Sequence, residues 1–492
     1  MASEEELRIA RVNKLNMLKD KGIDPYPGKT ERTHTLKEVS ESFSDLEKSS
    51  EEVSIAGRIM SIRGQGAILF IDLYDGTGRF QAVSKKDSEP VYIGKDGENG
   101  HELLIDSADI GDFIEVKGNV FTTKSGQPSV ELKAWKMLTK TLLPIPDEHY
   151  GFKDDEERLR KRYLDILLNE DTKNTVIKKS KFWDVTRSFM KENGFLEVET
   201  PTLELTTGGA EATPFKTHHN DFDIDVFLRI SIGELWQKRL MASGLPKVFE
   251  IGRAYRNEGS SNEHVQEFTN MEFYWAYADY KDGMNLVKNL YQKIAEEVFE
   301  TTQFETRGHK FDLSDDWPEI DYVDEVKKQT GMDILLASEE ELKNKLDELG
   351  VKYEGDNRER MIDSLWKYCR KNISGPAFLV NHPELVSPLS KQLSDKPHQT
   401  QRFQIVIAGS EIGNGYSELN DPIKQAERFD IQEELIQRGD TEAMMKDDEF
   451  LEMLEYGIPP TCGFGFGERL FAFLSDKSIR ETQTFPLMKP KE

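Results

Sequence analysis

Between residues 50 and about 143 no apolar run lasts long enough for a helix, and turn signals interrupt every run. "VSIAGRIMSIR", "AILFIDLYD", "GRFQAVS", "DFIEVKGNVFTT" and "SVELKAWKML" are short and rich in β-branched and aromatic residues. Gly64-Gln65-Gly66, Asp75-Gly76-Thr77-Gly78 and Lys124-Ser125-Gly126 separate them. Such runs are strands. Five strands within about 90 residues suit a small closed barrel, because closure removes the exposed edges a short open sheet would leave.

An OB-fold is the barrel this spacing fits best, over 49–146, and such barrels commonly bind oligonucleotides. A structural β domain without a ligand fits the spacing equally. Residues 1–48 form a charged, helical lead-in broken at "DPYPGK". Pro144 and Pro146 mark the exit from the barrel. A charged linker, 147–170, follows, in which Arg158, Arg160, Lys161 and Arg162 open a helix.

From 171 to 492 helices alternate with strands. Ile177, Phe182, Val185, Phe189 and Met190 recur with helical spacing, Asn193-Gly194 stops that helix, and "FLEVETP" reads as a strand ending at Pro201. "QRFQIVIAGSEIGNGYSELND" and "CGFGFG" read as further strands, so this part is expected to be α+β around a largely antiparallel sheet. Residues 312–372 are acidic and helical and read as an insertion on its rim.

Hydrophobic residues make up 37% and charged residues 32%, which suits a globular chain with a sizeable core. No apolar run approaches the ~20 residues of a membrane span, and the acidic N-terminus lacks the apolar core of a signal peptide. Two distant cysteines, Cys369 and Cys462, form no disulfide framework or zinc motif. These features point to the cytoplasm. The net charge of −26 disfavours non-specific nucleic-acid binding but leaves room for a local basic patch.

Three segments could carry chemistry. In "FEIGRAYRNEGSSNEHVQEFTNMEFYWAYADY", Arg253 and Arg256 precede a polar loop with Glu258, Glu263, His264 and Glu267, and Glu272 and Tyr274 share one parity on the returning strand. Equal parity means one sheet face, where an arginine, carboxylates and rings could hold a phosphate, an amine and a flat base. A surface hairpin laced with ion pairs has the same pattern. In "GSEIGNGYSELND", Glu411 and Glu418 flank a tight turn and could hold a divalent cation or an ammonium group. In "GFGFGERLFAFL", alternating glycines leave one strand face bare before Arg469 opens an apolar helix.

In this order the segments resemble motifs 1 ("GFLEVETP"), 2 and 3 ("GFGFGERL") of the class II aminoacyl-tRNA synthetases. The preceding barrel narrows the resemblance to the aspartate, asparagine and lysine subgroup. "HPELVSPLSK", "LTKTLLPIPDEHYGFKDDEERLRKRYLD" and "IGNGYSELND" are similar to its lysine-specific members. The resemblance covers nearly all of the chain from about residue 50. It implies a homodimer that uses ATP with Mg2+ to join L-lysine to tRNA(Lys), first as an adenylate and then on the 3'-terminal adenosine. It also implies that Arg256 and Arg469 are catalytic and that Arg256, Glu258, His264, Phe268, Glu411 and Arg469 bind ATP. Gly209, Glu234, Arg256, Glu272, Tyr274, Asn414 and Glu418 would bind lysine, Glu411 and Glu418 would share magnesium, and Arg63, Phe70 and Gln81 would read the anticodon.

Charge supports lysine as the substrate, since its two ammonium groups call for carboxylates and an aspartate pocket would call for a cation. The sequence departs from the family pattern in four places. The last motif lacks a residue between Gly467 and Glu468-Arg469, and Gln404 stands where a second metal glutamate is common. An extra residue precedes Glu234, and Thr213 replaces a common arginine. An asparagine- or aspartate-specific relative, a protein-lysylating ligase and a non-catalytic RNA-binding paralogue are the competing readings.

Overall fold

The computed structural model describes residues 3–146, 154–210, 212–353, 357–439 and 443–491. The first part of the expected linker, 147–153, lies outside the described residues. The chain divides into two compact units, Met1–Lys153 and Asp154–Glu492.

In the first unit the runs singled out above become β1 (Glu52–Gln65), β2 (Ile68–Tyr74), β3 (Arg79–Lys85), β4 (Phe113–Thr122) and β5 (Pro128–Thr139). β1 pairs with β2 and β4, β2 with β3, and β4 with β5, all antiparallel. A parallel pairing of β3 with β5 closes the ring. Inward side chains such as Ile55, Ile71, Val116 and Trp135 fill it, and Leu18, Leu36 and Val39 of the N-terminal helices join the same core.

The second unit is built on an eight-stranded sheet. In chain order its strands are β6 (Leu196–Glu197), β7 (Lys247–Tyr255), β8 (Glu267–Ala276), β9 (Glu319–Asp321), β10 (Ala377–Val380), β11 (Arg402–Ile407), β12 (Ser410–Ser417) and β13 (Thr461–Gly467). Their spatial order is β9-β10-β11-β12-β13-β8-β7-β6. The pairings are antiparallel except at the two edges, β9–β10 and β6–β7. The helix Glu170–Glu192 buries Phe182, Val185, Phe189 and Met190 against one face and leaves Ile177 exposed.

β13 organises the centre of this sheet. Its phenylalanines, Phe464 and Phe466, go into the core with Phe273 and Phe403, and Phe464 stacks on Phe403 at 5.5 Å. Its glycines face the opposite way. The region 312–372 folds as helices Tyr322–Thr330, Glu339–Glu348 and Arg358–Cys369 with an apolar cluster of their own around Leu342, Leu346 and Trp366. Phe403 is fully buried in the core on the phenylalanine side of the sheet. Phe403→Ala is expected to destabilise the second unit by about 3–5 kcal/mol, read as an earlier denaturant midpoint for that unit.

Candidate active site

The glycine face of β13 floors a cavity of about 780 Å³. Every residue assigned above to catalysis, ATP, lysine or metal lines it: Gly209, Glu234, Arg256, Glu258, His264, Phe268, Glu272, Tyr274, Glu411, Asn414, Glu418 and Arg469. The bare face makes room for the site's own side chains. A Cβ on Gly463 would lie 2.2 Å from Glu418 Oε1 and 2.6 Å from Tyr274, and one on Gly465 would lie 2.8 Å from the Glu272 side chain. Cross-strand register explains this, since Glu272 stands opposite Gly465 and Tyr274 opposite Gly463.

Charge is segregated along the cavity. Glu234, Glu272 and Glu418 are all buried at one end. Glu272 accepts from the backbone N–H of Ile232 (2.8 Å) and from the Tyr274 hydroxyl (3.4 Å). Tyr416 donates its hydroxyl to Glu234. Burial, with Glu234 nearby, pushes the Glu272 carboxyl up to about 7. Burial pushes Glu418 up to about 8 although Lys238 pulls it down.

Cations line the other part. Arg256 donates from Nε to the carbonyl of Ile230 (3.2 Å), and its guanidinium lies 5.3 Å from the centre of the Phe268 ring. Arg469 donates to Glu263 (2.7 Å), which also takes Arg307. The shortened last motif still brings Arg469 to the cavity: β13 ends at Gly467, and the helix Arg469–Leu474 starts two residues later, after Glu468. The His264 imidazole is held below its ordinary range by desolvation and by Arg469, and its Nδ1 is 2.8 Å from Ser261 Oγ. Just before Glu234, Gly233 with a φ of +60° turns the chain into the helix Glu234–Ala242.

Glu411 and Glu418 take different partners. Glu411 takes the Trp366 indole (2.6 Å), the Gln404 amide (3.1 Å) and Arg370 (3.1 Å). Glu418 pairs instead with Lys238 (2.6 Å) at the carboxylate end. Burial works to raise the Glu411 carboxyl, but Arg370, the indole and Arg402 outweigh it and hold it below the usual range. Among the described residues no group of three His, Cys, Asp or Glu side chains is poised for a metal.

Arg370 and Trp366 come from the helical insertion and its end, which the sequence placed only on a rim. Arg402, which donates to Asn414 Oδ1 (2.8 Å), was also missed. The signal available for Lys238 was its position four residues after Glu234 on a helix.

In the barrel, Arg63 stands directly opposite Phe70, and Phe70 opposite Val83, two residues from Gln81. The three thus share one face. Arg63 is exposed and Phe70 half-buried, outside the barrel core. Gln81 is buried and donates its amide to Ser129 Oγ (3.1 Å), so only its carbonyl side is uncommitted by that bond.

Three buried carboxyls crowded at one end have a consequence for stability. A carboxyl held above its unfolded value keeps the native chain more protonated than the unfolded chain. That contribution is fully present below about 4.5 and is lost as pH rises through about 7 for Glu272. The ligand-free protein is expected to lose thermal stability across that window, and Glu272→Gln should flatten the loss in melting curves at its two ends.

The comparisons agree with this geometry. Residues 154–489 match the family model "tRNA synthetases class II (D, K and N)", and 53–138 match "OB-fold nucleic acid binding domain". A lysine–tRNA ligase of Thermotoga sp. (strain RQ2) is 41% identical over 494 residues, 99% of this chain and 97% of the relative. That of Bacillus subtilis (strain 168) is 42% identical over 500 residues, 99% and 98% of the two chains. That of Moorella thermoacetica is 41% identical over 497 residues, 100% and 99%. An OB-fold ahead of an antiparallel-sheet catalytic unit, with full-length similarity to these relatives, settles the family: the chain belongs to the class II tRNA synthetases of the aspartate, lysine and asparagine group, among the lysine–tRNA ligases.

Proposed function

We propose that this cavity makes lysyl-adenylate from L-lysine and ATP and then passes lysine to the 3'-terminal adenosine of tRNA(Lys). The observation that carries the assignment of roles is the segregation of charge: Glu234, Glu272 and Glu418 at one end, Arg256 and Arg469 towards the other. Lysine enters with its ammonium groups among the carboxylates, where Gly209, Tyr274 and Asn414 complete the wall. Its carboxylate then meets Arg256.

The reaction joins two anions, the lysine carboxylate and the α-phosphate. Arg256 bridges them, offsets their repulsion and stabilises the charge that builds up in the transition state. Phe268 carries the adenine and Glu258 meets its amino group. His264 and Arg469 hold the outer phosphates that leave as pyrophosphate. No general base is needed, because the attacking carboxylate is already ionised at neutral pH. Glu411, an ionised carboxylate within the cavity, fits a magnesium ion whose other ligands are phosphate oxygens and water, and such an ion would neutralise phosphate charge. Neutral Gln404 beside it makes this a site with few protein ligands.

Arg63, Phe70 and Gln81 read the anticodon, Phe70 by stacking on a base. The protein works as a homodimer through the segment around β6, where Leu196, Leu203 and Leu205 are exposed. Work in the cytoplasm follows from this reading, since ATP and tRNA are met there. No helix among the described residues is long and apolar enough to cross a membrane.

ATP–pyrophosphate exchange tests the assignment with lysine, aspartate and asparagine in turn. Exchange is expected with lysine alone and is expected to vanish in Arg256→Ala with the fold intact; near-normal exchange in that variant would sink the active-site assignment. Phe70→Ala should spare exchange and impair tRNA charging, and an equal loss of both steps would show that Phe70 serves the fold.

A further inference from the structure

We propose that Lys238 is a specificity-determining residue of the lysine pocket: standing behind Glu234 and Glu418, it ties down one oxygen of each carboxylate and leaves the other for the ammonium groups of the amino acid. This rests on the pocket assignment above and deepens it.

Lys238 lies one helical turn after Glu234, and its side chain is 2% exposed. Nζ is 2.8 Å from Glu234 Oε1 and 2.6 Å from Glu418 Oε2. The rings of Tyr274, Tyr416 and Phe450 surround it at 5.8, 5.4 and 5.8 Å. Glu234, Glu418, Tyr274 and Tyr416 line the cavity, whereas Lys238 and Phe450 do not. The ammonium group is thus behind the wall and outside the substrate's seat.

The remaining oxygens turn towards the cavity. Both oxygens of Glu418 are buried without a hydrogen bond; Oε2 has the ion pair with Lys238, whereas Oε1 has no such contact and would lie 2.2 Å from a Cβ on Gly463. Glu234 Oε2 would lie 2.7 Å from a Cβ on Gly209. Both glycines line the cavity. An unpartnered buried carboxylate oxygen is costly unless a ligand supplies the missing donor.

Charge counting gives Lys238 its role. Glu234, Glu272 and Glu418 form a trianion when ionised. Lys238 cancels one charge, and the two left over match the two ammonium groups of free lysine. Without the internal cation the buried cluster would carry one negative charge too many, and one carboxyl would stay protonated and useless as an ammonium ligand. Glu234, Glu418, Tyr274 and Tyr416 are the titratable groups around Lys238. Glu272 acts on Glu418, with Arg256 near Glu272 and Arg402 near Tyr416.

The test is lysine-dependent exchange by the full chain from about pH 6 to about pH 9, a range that spans the raised carboxyls, in the wild type, Lys238→Met and Lys238→Arg. Lys238→Met should raise KM for lysine about tenfold or more at neutral pH and leave KM for ATP unchanged. The deficit should shrink as pH rises and the carboxyls ionise. Lys238→Arg keeps the charge and should keep the wild-type pH profile. A wild-type KM and profile in Lys238→Met would overturn the proposal. So would a lowered KM, because Lys238 would then be competing for the substrate's seat. Should Lys238→Met fail to fold, Lys238→Arg carries the test alone, and a profile moved to higher pH would overturn it. Absence of lysine exchange in the wild type would instead remove the pocket assignment on which the proposal stands.

Discussion

The second unit depends on one strand that is apolar on one face and empty on the other. Phe464 and Phe466 lock β13 into the core, while Gly463 and Gly465 let Glu418, Tyr274 and Glu272 approach its backbone. A side chain at either glycine would fill the space that the carboxylates occupy. The same strand therefore supplies hydrophobic stability below and a polar cavity above. Its neighbours β8 and β12 bring Glu272, Tyr274 and Asn414 to that cavity by register alone.

Burying several carboxylates together is unfavourable unless cations or donors compensate. At one end the protein compensates in part, with Lys238, the Ile232 N–H and the hydroxyls of Tyr274 and Tyr416. The raised Glu272 and Glu418 carboxyls record what is left uncompensated. A site under this kind of electrostatic load suits a dicationic ligand, whose arrival relieves it. At the other end Glu411 is already ionised, since Arg370, Trp366 and Gln404 surround it. Similar residue types thus serve two different electrostatic tasks within one cavity.

The helical insertion shows how an element on a rim can still contribute to the site. Its apolar cluster seats the helix Arg358–Cys369, which places Trp366 on Glu411. Arg370 follows directly at the end of that helix. In the first unit the barrel closes through a parallel pairing of β3 with β5, so Phe70 and Arg63 are left on an outer face while Trp135 and its neighbours fill the inside.

Much of this was written in the sequence. The five barrel strands, the antiparallel sheet and its bare glycine face follow from alternation and turn residues, which act locally. The carboxylates and arginines of the cavity could be named because short motifs carry them in order. Partnership was a different matter. That Glu418 pairs with Lys238, that Gln81 spends its amide on Ser129, and that Arg370 and Trp366 reach Glu411 all depend on segments far apart in the chain. Which oxygen of a buried carboxylate is taken and which is left is decided by packing in three dimensions, because desolvation and charge pairing depend on distance in space and not on spacing along the chain.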